Sequence, residues 1–329
     1  MIAPNLQPVD PAHQNPYRIY VVILCWNGKR WLKACLSSLF ADQATCPYEI
    51  LVVDNGSTDG SASWIRDNFP TTTVIETGKN LGFAGGNNVG IEYARQKNAT
   101  HILLLNQDTV VFEGWMQTLI AISKSHPQYG ILSPFQYNYE GLYLDRVFET
   151  QLRAHTPYFE DNNQHCVKPV YDIPQVIGAA MLLRSDLLKS IGNFDPFYFL
   201  YFEEKDLCRR ALSAGYHIGV VPAGKIGHYH GQLHAEELKI ADVDGFFLRN
   251  RQIFILKDPN QSFIKNLYVF LRYGLPNSLR RKYDSPVTPP NFKKALLTQL
   301  EVLFNLPRIF LRRHWECAQI KKHLNTKKL

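Results

Sequence analysis

Short apolar runs alternate with amphipathic stretches from Arg18 to about Pro134. Runs that read as strands occupy 19–25, 49–53, 73–75, 101–105 and 130–133, and apolar residues recur at helical spacing over 30–40, 61–68, 85–96 and 113–125. Strand, helix and strand at this pitch predict βαβ units, hence an α/β chain with a mostly parallel sheet and helices on both faces. Ligands of such sheets bind beyond the carboxyl ends of the strands, so the loops there are where chemistry is expected. The rhythm fails over 136–174, which predicts a long irregular insertion acting as a functional loop. It returns with a strand at 176–183, a helix at 185–191, an aromatic run at 197–202, a helix at 203–214, a strand at 216–221 and a helix at 245–257. Proline-broken helical pieces follow.

The composition of the 329 residues, 45% hydrophobic and 20% charged, suits a globular core and excludes a fibrous or disordered chain. The apolar runs are far shorter than the ~20 residues of a membrane-spanning helix, and 1–17 show no signal-peptide pattern. Six cysteines are scattered without ligand spacing and read as reduced thiols of a cytoplasmic protein. The net charge of +7 is unevenly spread. From Lys257 onward 15 Lys and Arg face four acidic residues, so 258–329 reads as a basic amphipathic extension on a catalytic domain at 18–257. Val302, Leu303, Phe304, Leu306, Ile309, Phe310 and Trp315 with Arg308, Arg312 and Arg313 predict an interfacial helix, kinked at Pro307, on an anionic membrane surface. The alternative is packing against the catalytic domain or a second copy in a homodimer. No nucleic-acid partner is expected, because the aromatics lie in apolar stripes.

Five segments could carry chemistry. Asp54-Asn-Gly-Ser-Thr-Asp-Gly-Ser61 follows a strand, where a carboxylate can accept from a ribose hydroxyl or base N–H; it also reads as an Asx-turn with a helix cap. Lys79-Asn-Leu-Gly-Phe-Ala-Gly-Gly-Asn-Asn88 would place the amides of Gly85 and Gly86 at a helix N-terminus, which attracts phosphate, or is simply a glycine-rich turn. Asn106-Gln107-Asp108 offers one carboxylate for Mg²⁺ or Mn²⁺ when substrate phosphates supply further oxygens, or a helix cap. Glu204 shares a helix face with Cys208 and Ala211, and partial desolvation there would raise its pKa toward that of a general base, or it is an ordinary acidic residue at a helix N-terminus, which pulls the pKa the other way. Gly227-His-Tyr-His-Gly231 offers imidazole to a metal or phosphate, or is a surface loop.

In this order the segments resemble the family 2 glycosyltransferases, and within them the bacterial rhamnosyltransferase-type branch, over about Arg18 to Lys257. The resemblance implies the GT-A fold: a Rossmann-like nucleotide-binding half joined to an acceptor half, here with a C-terminal helical extension. It places Asp54 and Asn55 at the nucleoside, and Asn80, Gly82, Phe83, Gly85, Gly86 and Asn87 in the nucleotide-side loop. Asn106, Gln107 and Asp108 stand at the DXD-like motif, whose first carboxylate is missing here. Gly178 and Ala179 would pass beneath the donor sugar, and Arg249 would neutralise phosphate or acceptor charge. Asp108 and His228 would hold Mn²⁺ or Mg²⁺. Glu204 replaces the usual catalytic Asp, so its carboxylate stands about one methylene further out.

The implied reaction is inverting transfer of a sugar, rhamnosyl or a related hexosyl, from a dTDP- or UDP-sugar. The acceptor would be a glycan or lipid-linked hydroxyl in bacterial surface glycan synthesis (lipopolysaccharide, O-antigen or capsule), at the inner face of the cytoplasmic membrane. A non-catalytic sugar-nucleotide-binding or scaffold protein is the alternative, given the incomplete metal motif and the Glu for Asp exchange. A nucleotidyltransferase would show a stronger basic glycine-rich loop than Cys25-Trp-Asn-Gly-Lys-Arg30, and a glycoside hydrolase has no use for the nucleotide-type loops.

Overall fold

A computed structural model describes residues 17–42, 46–229, 243–274, 276 and 292–326. Its strands are β1 (Ile19–Cys25), β2 (Glu49–Asp54), β3 (Thr73–Glu76), β4 (His101–Asn106), β5 (Thr109–Val111), β6 (Tyr129–Asn138), β7 (Tyr171–Asp172), β8 (Ala180–Arg184) and β9 (His217–His228). The helices of the first part are α1 (Lys29–Asp42), α2 (Ser61–Asn68), α3 (Gly82–Gln96), α4 (Trp115–Ser125), α5 (Arg146–His155) and α6 (Tyr158–Asn163). Then come α7 (Ser185–Ile191), α8 (Glu203–Ser213), α9 (Val243–Leu256), α10 (Phe263–Val269), α11 (Phe292–Phe304) and α12 (Leu306–Thr326).

One sheet runs β3-β2-β1-β4-β8-β6-β9-β5, with β7 also on β9. β3, β2, β1 and β4 are mutually parallel. β8 enters antiparallel between β4 and β6, so the second half is mixed. Alternate β1 residues feed opposite cores: Tyr20 and Val22 one face, Ile19, Val21 and Ile23 the other. That two-sided burial is why β1 reads as a continuous apolar run. α3 covers the first face and packs tightly, since a Cβ on Gly90 would stand 2.2 Å from Val22 Cγ1.

The expectation of an irregular 136–174 is corrected. The segment completes β6 and forms α5, α6 and β7, with Phe148 and Leu152 buried in the first core. α5 carries two apolar side chains inward at i and i+4 in ten residues, too few for a periodic signal to stand out. β9 runs seven residues past the expected end at Val221 and carries His228 within the sheet rather than in a surface loop.

The extension is also corrected in part. Pro307 is the second residue of α12 and opens that helix instead of kinking it, because the first turn needs no proline N–H. Val302 and Ile309 are buried with Tyr198, Phe202, Ile253 and Phe270, and Ile320 joins the first core. Arg312 bonds Glu316, and Arg313 donates to the carbonyl of Asp258. Val302, Ile309 and Ile320 thus hold the extension on the catalytic domain, and the two guanidiniums are engaged within the extension itself. Among the described residues no helix is long and apolar enough to cross a membrane.

Candidate functional site

The loops after β1, β2 and β4 meet at the carboxyl edge of the sheet. Asp54 ends β2; its Oδ1 accepts from the amides of Gly56 and Ser57, while Oδ2 is buried without a hydrogen-bond partner. An acceptor left unpaired there suits a ligand N–H or O–H. Asn55 locks the next loop in place: Nδ2 donates to Asn80 Oδ1 and the Gly82 carbonyl, and Oδ1 accepts from Leu81 N. Asn27, with φ 49°, accepts the Thr58 amide and donates its own to Ser57 Oγ. Gln107 closes the ring by exchanging bonds with the Trp26 backbone.

The glycine-rich loop is not the open amide cradle expected of it. α3 begins at Gly82, so its free amides belong to the residues before Gly85, and protein acceptors take three of them: Asn55 Oδ1 for Leu81, Asn80 Oδ1 for Gly82 and the Phe199 carbonyl for Phe83. Gly85, Gly86 and Asn87 lie inside the helix. A Cβ on Gly86 would stand 2.4 Å from Leu24 Cδ1, and buried Asn87 donates to the Phe83 carbonyl, so both are packed within the fold. Gly82, at φ 74°, permits the close approach to Phe199, where a Cβ would meet the carbonyl at 2.3 Å. Phe83 is also the neighbour of Gly178, and the Ala179 carbonyl accepts from Asn106 N.

Asp108 and His228 are brought together by sheet pairing. Thr109 stands opposite His228, and His228 Nε2 lies 3.6 Å from Asp108 Oδ1, both side chains buried. Adjacent ligands of one small divalent cation stand about 3 Å apart, so the pair can reach a common ion. Among the described residues no three His, Cys, Asp or Glu side chains gather as a complete metal site. One carboxylate and one imidazole fit a cation that draws its other oxygens from a diphosphate and water. Beside them Trp31, Tyr139 and Tyr229 form an aromatic cluster, Trp31 and Tyr229 with centroids 4.3 Å apart. Sequence reasoning missed this cluster, whose members are 198 residues apart at the extremes and meet only through β6 and β9.

Glu203 and Glu204 open α8 after two non-glycine residues in the left-handed region, Tyr201 at φ 71° and Phe202 at φ 72°. Such residues cost about 1 kcal/mol or more each and persist where surrounding structure holds them. Each carboxyl has a buried Oε2 without a hydrogen-bond partner. Burial pushes the Glu203 carboxyl well above its ordinary range, the neighbouring Glu204 charge adding to the push, and burial raises Glu204 as well. Cys208 and Ala211, on the same helix face as Glu204, are fully buried. Asp206 is structural: burial raises its pKa, but Lys257, Arg210 and Arg209 outweigh that and hold it ionised.

Arg249 does not stand free for phosphate. Its guanidinium donates to the Phe197 carbonyl, Asn250 Oδ1 and Glu301. A separate cavity of about 640 Å³ at the other end of the sheet, lined by His101, Arg184 and Lys189, contains none of the candidate residues.

The profile described as Glycosyl transferase family 2 matches residues 20–192. The low-salt glycan biosynthesis hexosyltransferase Agl10 of Haloferax volcanii is 30% identical over 179 residues, 52% of this chain and 55% of that protein. The N-acetylglucosaminyl-diphospho-decaprenol L-rhamnosyltransferase of Mycobacterium tuberculosis is 24% identical over 56% of this chain and 67% of its own length. Rhamnosyltransferase WbbL of Escherichia coli is 26% identical over 64% of this chain and 83% of its length. The chain thus spans little more than half of the first of these relatives. Among solved structures, S. aureus TarS in complex with UDP-GlcNAc superposes with a TM-score of 0.58 at 16% identity, covering 94% of this chain and 90% of that one. The mannosyltransferase PcManGT from Pyrobaculum calidifontis, with GDP-Man and Mn²⁺, gives 0.52 at 16% identity over 94% and 75%. The fold is the expected GT-A fold.

Proposed function

The chain belongs to glycosyl transferase family 2, and from that premise we propose that it transfers a sugar from a nucleoside-diphosphate donor to an acceptor hydroxyl with inversion. The observation that carries this reading is the gathering of three chemistries around linked loops: Asp54 with an unpaired acceptor, the Asp108–His228 pair, and a buried carboxyl pair at the head of α8. Asp54 accepts from the nucleoside. Glu204 takes the acceptor hydroxyl's proton as that oxygen bonds to the anomeric carbon, and the bond to the diphosphate breaks with its electron pair leaving on the nucleotide. One displacement by one base gives inversion. Burial holds Glu204 at a raised, proton-accepting pKa, while Glu203, buried beside it and kept neutral, hydrogen-bonds the Glu204 carboxyl and moderates that rise. Asp108 and His228 would hold a Mn²⁺ or Mg²⁺ ion, which when bound would supply charge stabilisation to the leaving diphosphate.

Rhamnosyltransferases among the relatives support a dTDP-deoxysugar donor, with UDP-hexoses next. The decaprenol-linked acceptor named for one relative supports a lipid-linked acceptor in surface-glycan assembly, and with it a peripheral position at the membrane's inner face. The test is a panel of dTDP-, UDP- and GDP-sugars with Mn²⁺, followed by nucleoside diphosphate release and by thermal shift. Release with one donor class supports transfer. Nucleotide binding without turnover on any donor and acceptor would make the chain a sugar-nucleotide-binding scaffold.

A further inference from the structure

The loop from Asp195 to Asp206 carries two parts of the site proposed above. Its Phe199 carbonyl accepts from Phe83 N at 2.7 Å, tying it to the nucleotide-side loop, and its end delivers Glu203 and Glu204. Two left-handed residues, Tyr201 and Phe202, set the direction in which α8 starts. A chain in that conformation needs something outside it to hold it.

That something is one face of α9. Asn250 is fully buried, and its Nδ2 donates to the Leu200 carbonyl at 2.7 Å and the Tyr201 carbonyl at 2.9 Å, with Tyr198 O further off at 3.4 Å. Arg249 holds the Phe197 carbonyl at 2.8 Å. Just past the helix, Lys257 Nζ reaches Asp195 Oδ2 at 2.8 Å and Asp206 Oδ1 at 3.3 Å, joining the two ends of the loop through one ammonium. Arg249, Asn250 and Lys257 therefore contact the start, the strained middle and the end of a single loop. An amide with two N–H groups matches two consecutive carbonyls turned to one side, which neither a carboxylate nor an alkyl side chain can do.

We propose that Asn250 is a positioning residue, which acts through the carbonyls of Leu200 and Tyr201 to fix where Glu204 stands relative to the bound donor. The inference rests on the transferase reading for its effect on rate, but not for its effect on the loop.

The test uses the full chain with Asn250→Asp, which keeps the size and loses both donors, and Asn250→Ser, which keeps one donor should the first variant fold poorly. Hydrogen exchange by mass spectrometry reads the loop directly. Amides of 199–204 should exchange at least about tenfold faster in the Asp variant and by an intermediate factor in the Ser variant, while those of β2 and α2 stay unchanged. Turnover should fall about 10- to 100-fold, the usual consequence of a misplaced group, with affinities for dTDP and UDP within about twofold of wild type. Unchanged exchange at 199–204 overturns the proposal, and so does faster exchange with full turnover. A matched fall in turnover and nucleotide affinity also overturns it, because it would mark a general loss of structure. If wild type transfers no sugar at all, the transferase reading fails and the exchange result alone decides the clamp.

Discussion

His228 Nε2 faces Asp108 Oδ1 at 3.6 Å because β9 pairs with β5, so a residue late in the chain completes a pair begun just past the end of β4. Nothing in the spacing of residues 108 and 228 announces this; only the strand order does. If the pair holds the cation of the proposed reaction, Asp108→Asn and His228→Gln should each weaken Mn²⁺-dependent donor binding by about tenfold or more, a size known from altered metal sites. Nucleotide binding in EDTA should be nearly unchanged. Isothermal titration with and without Mn²⁺ checks this, and equal losses in both conditions would place the two residues in the nucleotide pocket or the fold instead.

The two carboxyls opening α8 should separate by role. Glu204→Gln removes the proton acceptor and should lower turnover by ~10²-fold or more at unchanged donor affinity. Glu203→Leu leaves Glu204 but removes the neutral carboxyl whose hydrogen bond lowers its pKa, so the acidic limb should move up in pH. The sign follows from the raised pKa: a base must be ionised, so wild-type activity falls off on the acid side at a pH above 4.5, the ordinary glutamate value. A pH–rate profile of both variants decides it, and near-normal turnover of Glu204→Gln would remove Glu204 from the reaction.

The order of β1 to β4 and α1 to α4 is legible in the sequence because β1, β2 and β4 are buried on both faces and each helix shows one apolar stripe, whereas the three-residue β5 is too short to leave a pattern. The loop identities followed, since Asp54, Asn106 and Asp108 stand at or just past strand ends where ligands bind. What could not be read was anything set by distant pairing or by which partner takes a donor. The sequence suggests the amides of Gly85 and Gly86 for phosphate, but α3 starts at Gly82, so both lie inside the helix, and Asn55, Asn80 and Phe199 occupy the amides of Leu81, Gly82 and Phe83. Arg249 looked like a free cation, yet it lies against the Phe197 carbonyl 52 residues away. The last turns of β9 toward His228 were obscured by Pro222 and three glycines at 219, 224 and 227, which interrupt the apolar pattern while the bulged pairing with β6 carries on.

His101 sets a stability dependence on pH that is independent of catalysis. Its ring nitrogens meet Thr100 and Ser123 hydroxyls, and burial, with Arg184 nearby, lowers its pKa to about 4 from 6.5. Between those values the unfolded chain binds the proton and the folded one does not. Stability from this residue is therefore complete above about pH 6.5 and is lost as the pH falls toward 4, amounting to about 3 kcal/mol in all. In urea denaturation, His101→Gln should show a smaller drop in stability from pH 7 to pH 4.5 than wild type. Parallel curves for the two proteins would contradict the assignment.

Lys257 is the hub of a buried ionic cluster, 2.8 Å from Asp195 and 2.9 Å from Glu316, with Arg210 2.8 Å from Asp206. Removing one partner of such a cluster strands the opposite charges, at a cost of about 3–5 kcal/mol. Lys257→Met should therefore lower unfolding free energy by that order, and chain termination near residue 257 should do at least as much, because Glu316 and Ile320 leave with the extension. Guanidinium denaturation measures both. A loss under about 1 kcal/mol in Lys257→Met would show the cluster to be energetically idle.

The remaining open face of the extension is where a membrane surface would dock. Phe292, Leu296, Leu300 and Phe304 recur every fourth residue along α11 and all are exposed, Phe304 at 86%. Ile264, Tyr268 and Leu271 form a second exposed stripe, at i, i+4 and i+7, along α10 and just past its end. Lys265, Arg272, Lys293 and Arg308 supply cations beside these stripes. Exposed apolar side chains flanked by basic ones suit the boundary between headgroups and acyl chains. Each cation near an anionic surface adds about 1 kcal/mol, so a few suffice for reversible binding. The buried cluster around Lys257 makes truncation a poor probe, since it would disturb the fold together with the surface. The better variant is Leu296→Ser with Leu300→Ser and Phe304→Ser, all on the exposed stripe. Sedimentation with phosphatidylglycerol vesicles at low salt should be strong for wild type and at least about tenfold weaker for the triple variant, and high salt should weaken wild type by screening. If both proteins sediment equally, or neither does at low salt, the stripe covers another protein surface; a change of mass in analytical ultracentrifugation between the two would then identify it as a contact between copies of the chain.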